Sequence, residues 1–180
     1  VPNFLTKSTE IYIKDLGFKN IQVLDFNYQY NLIDTNLNIS ILKSGDFRED
    51  SGIYFSNGKF TSLLNVDANS INFDRLPKVN LYASFFAGGA SGYPLMFDDY
   101  NYEEQIKISL KDKNFVKKKL CDRLKKISPN YFMPYAGFFR EKLKRDKKIL
   151  KNNKKNTIDD YIKFCELNKI ELLNVIRNDF

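Results

Sequence analysis

FTSLLNVDANSINFDRLPKVNLYASFFAGGASGYP, residues 60–94, is the stretch whose reading decides the fold of this chain. A leucine-rich run over 59–66 ends in a single carboxylate, Asp67. Residues 71–76 read as a short connection or helical turn, closed by Pro77. Residues 79–86 are nearly continuous in apolar character, as a strand buried on both faces is. Residues 87–94 then form a glycine-rich loop. In α/β scaffolds chemistry sits just past strand ends, on loops that a rigid sheet positions. The 60–94 stretch is therefore read as the functional edge of the chain.

Working upstream, GIYF at 52–55, Asn57-Gly58 and the 59–66 run make a hairpin, since Asn-Gly is the strongest short hairpin signal. LNISIL at 37–42 alternates apolar and polar residues with a period of two, a half-buried strand. SGDFREDS at 44–51 is an acidic polar loop, KNIQVL at 19–24 reads as a strand, and residues 4–16 as a helix stopped by Gly17. Downstream, residues 100–124 read as a helix with Ile106, Leu110, Val116, Leu120 and Leu124 on one face. NYFM at 130–133 is a short strand, followed by PYAGFF at 134–139. Residues 143–155 are a very basic helix or linker, and 159–176 return to helical spacing, with Thr157 and Asp160 in a capping pattern. The order describes a mixed α/β fold with antiparallel pairing.

The 180 residues fit one domain, or one with a small appendage. The net charge of +7 is carried mainly by a basic run between Lys107 and Lys155. Such a run suits either an anionic partner or a solvated helix face. The chain has no histidine, which removes Ser-His-Asp and Cys-His catalysis and histidine-ligated zinc. Cys121 and Cys165 stand far apart, outside any CxxC arrangement, and read as small buried apolar residues of a protein in a reducing cytoplasm. No apolar run is long enough for a membrane span, and the first residues lack the pattern of a signal peptide. The start on Val1 suggests a fragment or a processed chain.

Asp67 is placed to bind a metal or act as a base, and equally to initiate a turn by bonding its own backbone. Gly88, Gly89 and Gly92 permit positive φ or close backbone approach, for a ligand or for a tight turn. Tyr135 and Phe138 are suited to stacking on a ligand ring or to packing in a core.

DSGIYFSNGKFTSLLNVDAN, then FAGGASGYP, then MPYAGFF, in this order and spacing, resemble the C-terminal half of a metallo-β-lactamase-fold protein, nearest to the CMP-N-acetylneuraminate hydroxylase family and its bacterial relatives. The matching residues are Asp50-Ser51, Asn65 to Asn69, Ala87 to Pro94 and Pro134 to Phe139, within residues 1–143. The resemblance implies an αββα sandwich of which this chain is the C-terminal half (1–143), followed by a basic linker and C-terminal helix (144–180). The family's H-x-H-x-D-H metal motif belongs to the other half, and this chain lacks it. Asp67 matches the fold's metal-bridging aspartate. The place where many metallo-β-lactamase relatives put a last metal histidine falls near Tyr135-Ala136-Gly137, and the hydroxylase group lacks that histidine too.

By the same resemblance, Gly88, Gly89, Ser91, Tyr93 and Tyr135 line a substrate pocket for a nucleotide-activated sugar. The cofactor implied is iron, or zinc, in the full-length protein. A Rieske 2Fe-2S centre would come from outside this chain, together with the upstream half of the domain or an electron-transfer protein. The implied activity is that of a monooxygenase acting on the sugar nucleotide, in which this chain is not active alone. A metal-dependent hydrolase of lactonase or phosphodiesterase type keeps the same fold. A non-catalytic basic interaction module is the reading from a different class, although nucleic acid is not the expected partner.

Overall fold

The computed structural model describes residues 8–47, 50–88, 92–138, 143–152 and 154–175. They form helices α1 (Ser8–Asp15), α2 (Tyr102–Ile127), α3 (Lys147–Asn152) and α4 (Asp159–Leu167). The strands are β1 (Gln29–Asn31), β2 (Asn38–Lys43), β3 (Ser51–Ser56), β4 (Thr61–Asn65), β5 (Leu81–Phe85), β6 (Tyr131–Ala136) and β7 (Glu171–Leu172). They run in chain order, β1 to β7, in a mixed sheet. The chain divides into two compact units, residues 1–82 and 83–180, with the division inside β5.

In the first unit, β1 to β4 form an antiparallel meander. The expected β3–β4 hairpin is present, with Tyr54 opposite Leu63 and Ser56 opposite Thr61. Its loop is held by Asn57, whose Oδ1 accepts from the N–H groups of Lys59 (3.0 Å) and Phe60 (2.7 Å). Gly58 takes a φ of +83°, open to glycine without steric cost. The segment leading to β5 is latched to β4. Thr61 N–H donates to Asn80 Oδ1 at 2.9 Å, and Asn80 N–H donates to the Thr61 carbonyl at 3.1 Å.

The strand expected over 19–24 is absent. Of its apolar residues only Leu24 is buried, and nearby pairing is an isolated bridge between Phe26 and Ile41. Asn27, at a φ of +64°, bends the chain there, and the outer strand forms instead at β1. An apolar run makes a strand only where a partner edge runs alongside it, and the 19–24 run pairs only at its last residue, Leu24, in a single bridge. The stop at Gly17 is as expected, at a φ of +91°.

In the second unit, α2 is closed by a capping box that the sequence reading did not identify. Asn101 Oδ1 accepts from Glu104 N–H, and the Glu104 carboxylate accepts from Asn101 N–H. Its buried face runs through Gln105, Ser109, Leu120 and Leu124, so Leu110, expected on the core face, is 44% exposed. The helix expected over 159–176 ends early, at Leu167. Lys169 adopts a φ of +56° and the Ile170 N–H returns to the Cys165 carbonyl. The following residues extend as β7 and pair in parallel with β6. Half of the capping pattern at its start is present: Asp160 accepts from the Thr157 N–H at 2.8 Å, while no side chain caps the first N–H groups of the helix. Cys165 is buried, as expected, whereas Cys121 is only half-buried; burial pushes the Cys165 thiol up to about 11.

Two features of this unit yield tests. Gly137 has a φ of +116°, and a Cβ there would lie 2.8 Å from the Ala87 Cβ and 3.1 Å from the Ala87 nitrogen. Gly137→Ala should therefore lower stability by about 1–3 kcal/mol, read as a fall in the denaturant midpoint at constant slope.

Asp160 bridges Lys113 at 3.0 Å and faces Lys117 at 3.9 Å. Burial alone would raise its carboxyl. The Thr157 backbone bond, the Lys113 bond and the two lysine charges outweigh that and hold it below the usual carboxylate range. A depressed carboxyl stabilises the fold above its unfolded value of about 3.9 and loses that contribution as pH falls through the folded value. Thermal melts between about pH 5 and pH 2 should fall less steeply for Asp160→Asn than for the parent chain.

Candidate functional site

Asp67 stands two residues past the end of β4, on a turn fixed from both sides. The Ser70 N–H donates to Ser44 Oγ at 3.3 Å, and the Gly45 N–H donates to the Ser70 carbonyl at 3.0 Å. A side chain at Gly45 would meet that carbonyl at 3.0 Å, and one at Gly52 would meet Ile71 Cδ1 at 2.7 Å. Glycine at both positions thus lets the β2–β3 region close on the turn. Ala68 is fully buried while Asp67 is exposed, so the carboxylate is presented to solvent from an anchored backbone.

Just before it lies an oddity. Asn65, the last residue of β4, is 1% exposed, yet neither atom of its amide has a hydrogen-bond partner among the described residues. Burying an amide without partners costs free energy, so such a residue at a strand end calls for a reason other than stability. Nothing in the sequence pattern flagged it, because an asparagine at a strand end reads as turn chemistry.

In the second unit the structure brings together the other two motifs. The Phe86 N–H, just past β5, donates to the Ala136 carbonyl at the end of β6 at 3.1 Å. The rings of Phe86 and Phe138 meet at a tilt of 59° with centroids 4.9 Å apart, and Ala87 presses on Gly137. The glycine-rich loop and PYAGFF therefore leave the sheet side by side. Gly88, at a φ of +87°, sits against Val116, whose Cγ2 would be 2.9 Å from a Cβ at that position. Tyr93 is 37% exposed and meets Phe97 edge-on at 5.5 Å. Tyr135 is half-buried on β6. Gly89 and Ser91 lie outside the described residues, as does Phe139.

The loop continues into a ledge of exposed rings and one thioether, Tyr93, Met96, Phe97 and Tyr100. It is anchored by Gln105, which is 2% exposed and donates from Nε2 to the Phe97 carbonyl at 2.8 Å. The N-terminus of α2 follows, but Asp98, Asp99, Glu103 and Glu104 crowd it and the capping box uses its donors. That end of the helix does not suit a phosphate.

The described residues hold no group of three His, Cys, Asp or Glu side chains that converge as metal ligands. Asp67 can offer a hard oxygen ligand to iron or zinc, but these residues do not amount to a metal centre by themselves.

No family model matches the chain. Over 142 residues it is 36% identical to the cytidine monophosphate-N-acetylneuraminic acid hydroxylase of Macaca mulatta, covering 76% of this chain and 24% of that protein. With the hydroxylase of Mus musculus the identity is 34% over 146 residues, covering 78% and 25%. The chain is a relative of these hydroxylases. It spans about a quarter of the length of the curated relatives it matches. Its fold is similar to that of CmlA, a diiron β-hydroxylase from Streptomyces venezuelae, with a TM-score of 0.50 over 89% of this chain and 34% of that one. At 11% identity the likeness concerns the fold alone, which in CmlA is a metallo-β-lactamase fold. The layered α/β expectation and the resemblance read from the three motifs are thus borne out.

The orphaned amide supplies a test. Asn65→Leu keeps the volume and removes the unpaired polar atoms. It should raise the unfolding free energy, by about 1–3 kcal/mol, in chemical denaturation. A loss of similar size would mean that the amide is satisfied in solution.

Proposed function

We propose that this chain is part of an iron-dependent hydroxylase acting on a nucleotide-activated sugar and contributes residues to its active site. The observation that carries this reading is the identity with the cytidine monophosphate-N-acetylneuraminic acid hydroxylases, which runs over most of the chain. The fold likeness to a diiron hydroxylase agrees with it but adds no detail of the site.

On this reading Asp67 contributes one carboxylate to the iron, a role that its exposure on an anchored turn suits. The iron, or zinc in a hydrolytic relative, would supply Lewis-acid and, for iron, oxygen-activating chemistry. Its other ligands would have to come from outside this chain, since the chain has no histidine. An electron-transfer partner, with or without a Rieske centre, would deliver the reducing equivalents that hydroxylation consumes.

Gly88, whose missing side chain makes room for Val116, would fix the start of the loop, Gly89 would let the backbone approach the substrate closely, Ser91 would offer a hydroxyl, and Tyr93 and Tyr135 would pack against its rings. The linked turns at Phe86–Ala87 and Ala136–Gly137 would keep Gly88 and Tyr135 in register.

Iron binding and turnover separate this reading from the alternatives. The chain alone should take up no stoichiometric iron in an equilibrium dialysis at micromolar Fe(II). Combined with a polypeptide that supplies the H-x-H-x-D-H half of the fold, it should retain iron, and Asp67→Ala should weaken that retention by roughly tenfold or more. Unchanged iron content and turnover in Asp67→Ala would remove Asp67 from the site. Hydrolysis of a phosphodiester or lactone without reductant would favour the hydrolytic reading.

A further inference from the structure

α4 ends at Leu167 and β7 begins at Glu171, so helix and strand lie alongside one another across a tight turn. Between them opens a groove of about 320 Å³, a volume that suits a small ligand or a few side chains. Its apolar floor includes Ile158, Cys165 and Ile170, which are buried, and Ile162, which is 39% exposed. Its rim carries three exposed carboxylates, Asp159, Glu166 and Glu171. No Lys or Arg lines it, although the chain carries 29 of them. A negative rim around an apolar floor is thus set into an otherwise cationic molecule.

The second observation concerns the strand. β7 is the last strand in the sheet order and pairs with β6 on one side. The N–H groups of Glu171 and Leu173 donate to the carbonyls of Asn130 (2.8 Å) and Phe132 (2.9 Å). Backbone groups of successive strand residues alternate between the two sides, so the N–H and C=O of Leu172 face away from β6. Among the described residues nothing hydrogen-bonds them. Leu172 also lines the groove, which puts an open strand edge and an apolar floor within one site.

An edge of unpaired backbone groups beside a groove is the geometry that accepts an added strand, with alternate side chains entering pockets. The charge on the rim selects what the added strand carries. We propose that the α4–β7 groove docks an extended segment of a partner protein in which apolar residues alternate with Lys or Arg. The segment pairs with β7 through Leu172, places its apolar side chains over Ile162 and Ile170, and sets its cations against Glu166 and Glu171. This site is independent of the hydroxylase reading and involves none of its residues.

A fluorescein-labelled peptide of alternating valine and lysine, titrated with the full 180-residue chain and followed by anisotropy, tests the proposal. Saturable binding is expected, weakening as salt rises, because rim charges are screened. The double reversal Glu166→Lys with Glu171→Lys should lower affinity by about tenfold or more. Reversal of Asp98 and Asp99, two equally exposed carboxylates at another place, should leave it within about twofold. Methylating the peptide's alternate backbone nitrogens should abolish binding, because strand addition requires those donors. Equal binding of the methylated peptide, of a valine–glutamate peptide, or by the Glu166/Glu171 variant would overturn the proposal. So would concentration-dependent self-association in sedimentation that the same double reversal abolishes, since the occupant would then be a second copy of the chain.

Discussion

The backbone of Phe86 is the tie on which the second unit depends. Its N–H is bonded to Ala136 on β6, and its carbonyl accepts the Tyr161 hydroxyl of α4 at 2.7 Å. Both Phe86 and Tyr161 are buried, so neither bond has water to replace it, and losing one leaves a polar group stranded at a cost of about 1–3 kcal/mol. Burial also holds the Tyr161 phenol well above its ordinary range, which keeps the hydroxyl a neutral donor. One residue thus joins β5, β6 and α4. The next, Ala87, fits only because Gly137 has no side chain.

The first unit works by a different constraint. Its meander is antiparallel with local connections, and the β3–β4 hairpin closes on its own loop residues. What needs distant partners is the turn that carries Asp67, clamped by Ser44 and Gly45 from across the meander. The buried amide of Asn65 sits at the base of that turn. A fold selected for stability alone would put an apolar residue there, and the polar one marks the end of β4 as a place where something other than packing is specified.

The basic character of the chain is partly spent inside it. Lys113 and Lys117 on α2 meet Asp160 on α4. Arg123 lies over the Phe85 ring and Lys125 over Phe164, each within cation–π range. A lysine run that reads as an anionic-partner surface therefore serves in part to hold helices and strand together. The groove beside β7 has the opposite sign, so charge along this sequence does not report the charge of each surface. No helix among the described residues is long and apolar enough to cross a membrane.

By itself the sequence determined the features that local chemistry controls. Asn57-Gly58 between two apolar runs specifies the hairpin, Gly17 stops α1, and the spacing from Leu120 to Leu124 marks the buried side of α2. It also carried the three motifs on which the resemblance to the hydroxylases was read. Tertiary structure decided the rest. KNIQVL had the composition of a strand but meets an edge only at Leu24, and residues 170–173 had helical spacing but found β6. The approach of Gly137 to Ala87 joins residues far apart in the chain, and so does the clamp of Ser70 on Gly45. Neither leaves a periodic trace, because a glycine that makes room for a distant backbone looks the same in sequence as one that makes a turn. Local propensity is written residue by residue, whereas pairing and close approach depend on which segments the rest of the fold brings within reach.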